Sequence, residues 1–118
     1  MDKLDKLFDL QKKFQIRLKN IPFESFSDRQ QFINLMTISC CDELLEALRE
    51  TSWKNPQYIK HGWKKTQEFN EGAFKEELID VWHFLINLSL AAGLTSSELY
   101  EAFLSKHQEN NERQDNKY

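Results

Sequence analysis

The chain has 118 residues, of which 40% are hydrophobic and 30% charged, and its formal net charge is -3 with a pI of about 5.6. This length predicts one domain, residues 1–118, built around one core. The acidic balance argues against a nucleic-acid-binding surface, and no apolar run reaches the ~18 residues of a membrane span. Only three glycines and two prolines occur, too few for a turn-rich β fold, so long helices are favoured.

Two features predict a cytoplasmic protein. Cys40 and Cys41 are adjacent on a predicted helix, so they point in different directions and do not form a natural disulfide pair. The N-terminal residues 1–6 are charged and lack the apolar centre of a signal peptide.

The first predicted helix covers residues 2–20. Its apolar stripe, at three- and four-residue spacing, comprises Leu4, Leu7, Phe8, Phe14 and Leu18. Gln11 lies in the middle of this stripe. Its amide is either satisfied by a neighbouring group or placed to hydrogen-bond a ligand such as a nucleotide base in a pocket.

A second helix is predicted over residues 28–52, after a break at Pro22 and a capping box at Ser27-Asp28-Arg29-Gln30. Its apolar stripe comprises Phe32, Leu35, Met36, Cys40, Leu44, Ala47 and Leu48. Glu43, Glu46 and Glu50 fall on this same stripe, whereas a solvated acidic face would lie opposite it. The placement therefore favours a functional cluster over an ordinary surface charge run.

Residues 51–73 form the least regular part of the sequence, and Pro56 ends the second helix. Trp63 and Lys64 belong to an aromatic and basic stretch at residues 58–65. This stretch is either a connecting loop whose tryptophans pack on the core, or a set of basic groups that face a metal-bound anion.

A central helix is predicted over residues 73–92, after a turn at 70–72 and before a stop at Gly93. Beyond Asp80 it is apolar nearly all the way round, which is typical of a helix buried on every side. Its first turns nevertheless carry Glu77 and Asp80 on one side, and a carboxylate is rarely buried without a positive partner. We therefore expect a cation at this end of the helix.

A further helix opens with a capping box at Thr95-Ser96-Ser97-Glu98, and its inward stripe is Leu99, Ala102 and Phe103. The same stripe continues through Lys106, Asn110 and Arg113. Either this is a solvated helix end, or a pocket begins where the core stops. The predicted fold is all-α, a bundle of four to five helices completed by dimerisation.

The inward carboxylates comprise the pairs Glu43/Glu46 and Glu77/Asp80, with Glu50 one turn further along. An all-oxygen set of this kind suits Mg²⁺ or Mn²⁺ and not zinc. Its charge exceeds what one divalent ion neutralises, so two or more ions are expected, with phosphate oxygens completing their coordination. A metal ion activates water and stabilises a transferring phosphoryl group, which predicts metal-assisted hydrolysis of a phosphoanhydride.

Basic side chains would hold the remaining phosphate charge, and the candidates are Lys64, Lys106 and Arg113. The sequence contains no Gly-rich phosphate loop, which excludes a P-loop ATPase.

The run Glu43-Leu-Leu-Glu46, followed by Glu77-Leu-Ile-Asp80, resembles the E-x-x-E … E-x-x-D signature of the all-α nucleoside triphosphate pyrophosphatases, the MazG-like superfamily. Within it, the chain most resembles the dimeric dUTPases. Residues 7–11, 76–84 and 106–118 resemble that family's first helix, its E-E-x-x-D-x-x-H-F segment and its C-terminal K-N-x-x-N-x-x-R-Q-x-x-G-Y.

The resemblance implies a deoxynucleoside triphosphate substrate, a homodimer, and release of dUMP and pyrophosphate from dUTP. It implies Mg²⁺ ligation by Glu43, Glu46, Glu77 and Asp80, with Glu50 as a further acid of the cluster. The substrate contacts that it implies are Gln11 and Phe84 at the base, and Lys106, Asn110 and Arg113 at phosphate or sugar, with Tyr118 closing over the site. Trp63 resembles the aromatic residue of a K-x-W segment of the family.

Two alternatives remain open at this stage. Relatives in the superfamily use similar acids on dCTP or modified nucleotides. The second alternative is a non-enzymatic helical module, whose acids pair with lysines and arginines across a dimer interface.

Overall fold

The computed structural model describes residues 1–116 and contains five helices, with no strand among those residues. The helices are α1 (Lys3–Arg17), α2 (Phe26–Arg49), α3 (Pro56–Lys60), α4 (Glu71–Ala91) and α5 (Ser96–Asp115). The predicted all-α class is confirmed.

Side-chain caps fix where the helices begin. Asp2 and Asp5 form a capping box at the start of α1, and Thr95 and Glu98 form the predicted one at the start of α5. The predicted cap at Ser27 is wrong, because Ser25 Oγ accepts the Asp28 N–H at 3.1 Å and α2 begins at Phe26. Serine is a good cap at either position, so composition alone does not separate the two.

The start of α4 also differs from the prediction. Asn70 Oδ1 accepts the Ala73 N–H at 3.1 Å, so Asn70 caps a helix that begins at Glu71. Gly72, predicted to lie in a turn before the helix, therefore lies in its first turn. Asparagine is one of the strongest N-cap residues, and here its cap outweighs the low helix propensity of glycine.

Two helices end in the same hydrogen-bonded motif, in which a residue with positive φ follows the C-cap. At the end of α4 the residue is Gly93, with φ 81°, and Leu94 N–H donates to Ser89 O at 3.0 Å. The predicted stop at Gly93 is confirmed. At the end of α1 the residue is Lys19, with φ 63°, and the helix ends at Arg17 and not at residue 20.

The predicted end of α2 at residue 52 is wrong, because the helix stops at Arg49. Thr51 Oγ1 donates to Leu48 O at 2.6 Å and thereby occupies a carbonyl of the last turn. Pro56 then opens the short α3, whose cap is Asn55, within the stretch predicted to be irregular.

Contacts within the chain define two compact units. The first combines residues Met1–Arg29 with the chain from Ile86 onward, and the second is Gln30–Leu85. In the first unit α1 packs against α5, and Arg29 Nε donates to Ala91 O at 2.8 Å, which satisfies a carbonyl at the end of α4. Its buried side chains are Phe8, Gln11, Gln15, Asn87 and Ala91.

In the second unit the buried side chains are Phe32, Met36, Ala47 and Val81, from α2 and α4. The expectation that α4 is buried on every side is wrong for this chain, since Ile79 is 57% and Trp82 is 60% exposed. On α2, Leu35, Leu44 and Leu48 of the predicted stripe are exposed as well. The described residues of the chain leave these faces of α2 and α4 uncovered.

The predicted inward stripe of α5 is also wrong in part. Leu99 is half-buried, but Ala102 and Phe103 are exposed. Among residues 1–116, no single helix is both long and apolar enough to cross a bilayer, although α4 and α5, bent by 102° at their break, reach that length and hydropathy as a pair.

The end of α1 generates a stability prediction. Lys19 adopts a left-handed conformation that costs a non-glycine residue free energy, so Lys19→Gly should raise the free energy of unfolding by about 1 kcal/mol. The matched control is Lys12→Gly, at an exposed position inside α1, which should lower it by ~0.5–1 kcal/mol. Urea denaturation followed by circular dichroism measures both, and a Lys19→Gly protein that is no more stable than wild type would refute the argument.

Candidate metal centre

Three of the predicted acids come together where α2 meets α4 in the second unit. One carboxylate oxygen each from Glu43, Glu77 and Asp80 lies within 4.8 Å of the other two. Glu43 and Glu77 are half-buried, whereas Asp80 is exposed. The group therefore has a protected side and an open side, which a metal site that admits a substrate needs.

Helix geometry explains the convergence. Glu43 lies seven residues after Met36 and four before Ala47, both buried, so the helix period points it at the same inward face of α2. Glu77 and Asp80 are three residues apart on α4 and share a side of that helix. Packing of the apolar residues on α2 and α4 thus brings the acids together.

Two oxygens of this group lack hydrogen bonds. Glu43 Oε2 and Glu77 Oε2 are buried and have no partner among residues 1–116. An ionised carboxylate only accepts hydrogen bonds, so neither group can satisfy the other while both are charged. A buried acceptor without a donor costs free energy, and either a shared proton or a cation would remove that cost.

The electrostatics follow from this geometry. Burial, followed by hydrogen bonding to Glu77, raises the pKa of Glu43 from its ordinary 4.5 to about 7. The negative charges of Glu46 and Asp80 raise that pKa further. A hydrogen bond between Glu43 and Glu77 requires a proton on one of them, and the raised pKa supplies that proton near neutrality.

Two predicted members stand apart from the three. Glu46 and Glu50 are half-buried on the inward side of α2, but neither belongs to the group whose oxygens lie within 4.8 Å. Glu46 is still near enough for its charge to act on Glu43. Glu50 also accepts the Asn70 N–H at 2.8 Å through its backbone carbonyl, which ties the end of α2 to the start of α4.

The donor set fits a small divalent cation. Opposite oxygen ligands of one Mg²⁺ are ~4.2 Å apart, so oxygens spread over at most 4.8 Å need only small side-chain rotations to surround one ion. All three donors are hard carboxylate oxygens, which Mg²⁺ and Mn²⁺ prefer. Glu43, Glu77 and Asp80 could therefore hold such an ion.

The aromatic and basic stretch lies in the same unit. Trp63 is 67% exposed, stacks on His61 with ring centroids 4.7 Å apart, and contacts Tyr58 at 5.7 Å. It does not pack on the core as a connecting loop would predict. Lys64 is exposed beside it, and Phe84 is half-buried on α4.

Gln11 lies in the first unit and is buried. Its Nε2 donates to Asn87 Oδ1 at 2.9 Å, so this end of the amide has a neighbouring acceptor. Asn87 itself was missed by sequence reasoning, although it is only 3% exposed. The available signal was an amide side chain within the apolar run of α4, where only a hydrogen-bond partner makes burial acceptable.

The predicted phosphate contacts lie along the exposed second half of α5. Arg113 Nη2 and Lys106 Nζ contact the two Glu109 carboxylate oxygens at 2.7 and 3.7 Å, and Asn110 is exposed. These are pairs within one helix at the surface, which contribute little to stability and can be exchanged for another anion. Tyr118 lies outside the described residues.

The raised pKa of Glu43 generates a prediction for the metal-free protein. The pKa of Glu43 in the folded state lies above its ordinary value, so the protonated side chain contributes to the free energy of unfolding. This contribution is complete below pH 4.5 and is lost as the pH rises through about 7. Glu43→Gln should remove this loss, so the variant should gain stability relative to wild type between pH 5.5 and pH 8 in EDTA. Thermal melts across that range measure it.

Glu68→Gln is the matched control, since it removes the same charge from an exposed residue of the second unit. If its pH profile relative to wild type equals that of Glu43→Gln, burial of Glu43 is not the cause.

Two comparisons with known proteins bear on the family of this chain. A family model described as dUTPase matches residues 3–96. The dCTP pyrophosphatase of Enterobacteria phage T4 is 29% identical over 143 aligned positions, which cover 99% of this chain and 83% of that protein. No solved structure matches. Since the family model covers most of the chain, including both helices that carry the acids, the protein belongs to this dUTPase family of nucleoside triphosphate pyrophosphatases.

Proposed function

We propose that this protein hydrolyses dUTP to dUMP and pyrophosphate with Mg²⁺ bound at the carboxylate group of α2 and α4. The observation that carries the proposal is the pair of buried oxygens, Glu43 Oε2 and Glu77 Oε2, which have no hydrogen-bond donor among residues 1–116. They belong to the two carboxylates that group with Asp80. If these carboxylates had a purely structural role, a lysine or arginine side chain would be expected beside them. A shared proton can relieve the contact while Glu43 stays protonated, and a cation from solution would satisfy both oxygens once both groups are ionised.

Glu43, Glu77 and Asp80 would be the ligands, joined by Glu46 and Glu50 when a second ion and the substrate phosphates enter. Bound Mg²⁺ supplies charge stabilisation at the phosphates and a more acidic water. Glu46 stands outside the tight group, so an oxygen of it that is not bound to metal would be available to orient the attacking water. Mn²⁺ has the same ligand preference and should substitute.

The substrate contacts rest on the resemblance. Gln11 and Phe84 would meet the base and Trp63 the base or sugar, while Lys64, Lys106, Asn110 and Arg113 would bind phosphate or sugar, with Tyr118 closing over them. The exposed indole of Trp63 offers a stacking face, and the solvent-exposed pairs of Lys106 and Arg113 with Glu109 leave both cations able to turn to a triphosphate.

A second candidate substrate is dCTP. The T4 protein is a dCTP pyrophosphatase and aligns with nearly the whole of this chain. Uracil and cytosine differ only in the donor and acceptor at ring positions 3 and 4, so the carboxylate group serves either nucleotide equally. The metal chemistry is therefore proposed independently of the base.

A panel of the common nucleoside triphosphates tests the proposal, with pyrophosphate release measured in Mg²⁺. We expect dUTP to be cleaved with the highest kcat/KM, with dCTP as the competing result. Asp80→Asn removes a metal ligand and should lower kcat by at least about 100-fold. Glu68→Gln, which removes an exposed acid from the same unit, should retain activity.

Metal binding can be separated from catalysis by melting the protein with and without Mg²⁺. A ligand of the folded state at 100 times its Kd stabilises it by ~2.7 kcal/mol, so wild type should melt higher and Asp80→Asn should not. If Mg²⁺ leaves the melting temperature of wild type unchanged and no nucleotide is cleaved, the acids belong to a non-enzymatic helical module instead.

We also propose a homodimer formed through apolar residues of the second unit. The support is the exposure of large apolar side chains on one side of α2 and on α4, namely Leu35, Ile38, Leu45, Ile79 and Trp82. A contiguous patch of exposed apolar side chains on a protein usually marks a surface that binds another molecule. Nothing else among residues 1–116 covers these side chains.

Gel filtration should give about twice the chain mass of 14.1 kDa for wild type. Ile38 is 68% exposed, so Ile38→Lys costs the isolated chain little but would bury a charge in the dimer, and it should elute as a monomer. The control is Phe26→Lys, at an exposed residue of the first unit, which should remain dimeric. A wild-type protein that elutes as a single chain at micromolar concentration would exclude the dimer.

A further inference from the structure

The connection between α2 and α4, residues 50–70 and here called the α3 loop, lies wholly in the second unit and combines aromatic with basic side chains. Residues 51–67 contain four lysines and no aspartate or glutamate, in a chain whose formal net charge is -3. Lys60, Lys64 and Lys65 are exposed, and none of them makes an ion pair with another residue of 1–116. The α3 loop therefore presents positive charge to solvent.

The loop is closed where it leaves the helices. Asn70 N–H donates to Glu50 O at 2.8 Å, and Gln67 Nε2 donates to Arg49 O. Both hydrogen bonds join the last residues of the loop to the end of α2. The aromatic and basic residues between these points are thus carried on a segment whose two ends are tied together.

A turn at the end of α3 holds three aromatic rings in contact. The turn is a Schellman motif, in which Trp63 N–H donates to Tyr58 O at 2.9 Å and Gly62 N–H donates to Ile59 O at 3.0 Å. Gly62 adopts the φ of 77° that the motif requires. The ring of Trp63 stacks on His61, 4.7 Å away, and contacts Tyr58 at 5.7 Å. Trp63 is 67% and Tyr58 46% exposed, so this group of rings is open to a further ring from solution.

We propose that the α3 loop binds single-stranded nucleic acid, independently of the proposed hydrolysis and without the carboxylate group. Exposed aromatic rings stack on unpaired bases of any sequence, and lysines beside them neutralise the phosphates between the bases. The acidity of the whole chain does not prevent this, because exposed charges farther apart than about 8–10 Å are screened at physiological salt. Trp63 and Lys64 are also proposed nucleotide contacts, whereas Lys60 and Lys65 are not.

The charge of the loop argues against a second copy of this chain as its occupant. A two-fold interface brings one surface against itself, so the lysines of one copy would face those of the other. Like charges in that arrangement disfavour association. A polyanion has the complementary charge, and a single nucleic-acid strand also offers one unpaired ring for each phosphate, which an acidic polypeptide does not.

Fluorescence anisotropy with the full chain tests the proposal, using a labelled oligothymidylate of about 12 nucleotides. EDTA is present throughout, so that no metal ion can join the phosphates to the carboxylate group. If three lysines contact phosphates, binding should weaken about twentyfold between about 50 and 200 mM salt. A duplex of the same length keeps its bases stacked on each other and should bind at least about tenfold more weakly. Oligouridylate, measured in parallel, shows whether RNA or DNA is preferred.

Two kinds of variant separate the charges from the rings. Lys60→Gln/Lys65→Gln should bind more weakly, and the salt effect should shrink to about threefold, because one phosphate contact remains. Trp63→Ala should bind about tenfold more weakly with the salt effect unchanged, and Trp63→Phe, which keeps a ring, should recover most of the affinity. Lys12→Gln/Lys13→Gln removes two exposed lysines of α1 and should bind as wild type does.

Pyrophosphate release from dUTP in Mg²⁺ separates this inference from the proposed function, and Lys60→Gln/Lys65→Gln should leave it unchanged. A parallel loss of dUTP cleavage and oligonucleotide binding in that variant would assign both lysines to the substrate and overturn the proposal. So would equal weakening in the two double-lysine variants, which indicates unspecific charge attraction, or no binding at about 50 mM salt. Competition by polyglutamate as strong as that by unlabelled oligothymidylate would identify an acidic polypeptide as the partner instead.

Discussion

The site depends on one interaction, the meeting of the Glu43 and Glu77 carboxylates in the interior formed by α2 and α4. Neither buried oxygen has a donor within the described part of the chain, and the same unfavourable contact raises the pKa of Glu43. Apolar residues at both positions would pack the two helices without this cost. Such a local conflict in an otherwise consistent helix pair is expected at functional sites, where stability is given up for ligand binding.

The two compact units are held together internally by different means. In the second unit the buried side chains are apolar, and the acids lie at the margin of that small core. In the first unit three of the buried side chains are amides, Gln11, Gln15 and Asn87. Paired amides require a particular donor–acceptor geometry in addition to the shape complementarity that apolar packing requires. The first unit is therefore the part of the chain where side-chain orientation is most strictly specified.

Much of the fold follows from local sequence signals. The capping box at Thr95 and the stop at Gly93 are short-range features, and both hold. The errors at Ser27 and Gly72 arose where two neighbouring residues competed to cap one helix. Lys19 could not be predicted as a helix terminator, because its left-handed conformation is imposed by the chain that follows and not by its own preference.

The candidate site was predictable to a different extent. The helical period was sufficient to place Glu43 near Glu77 and Asp80, since Glu43 shares the inward face of α2 and Glu77 and Asp80 share one side of α4. The separation of Glu46 from that group depends on side-chain direction across two helices, which periodicity does not contain. The Gln11–Asn87 bond joins residues 76 positions apart, so no local pattern could reveal it.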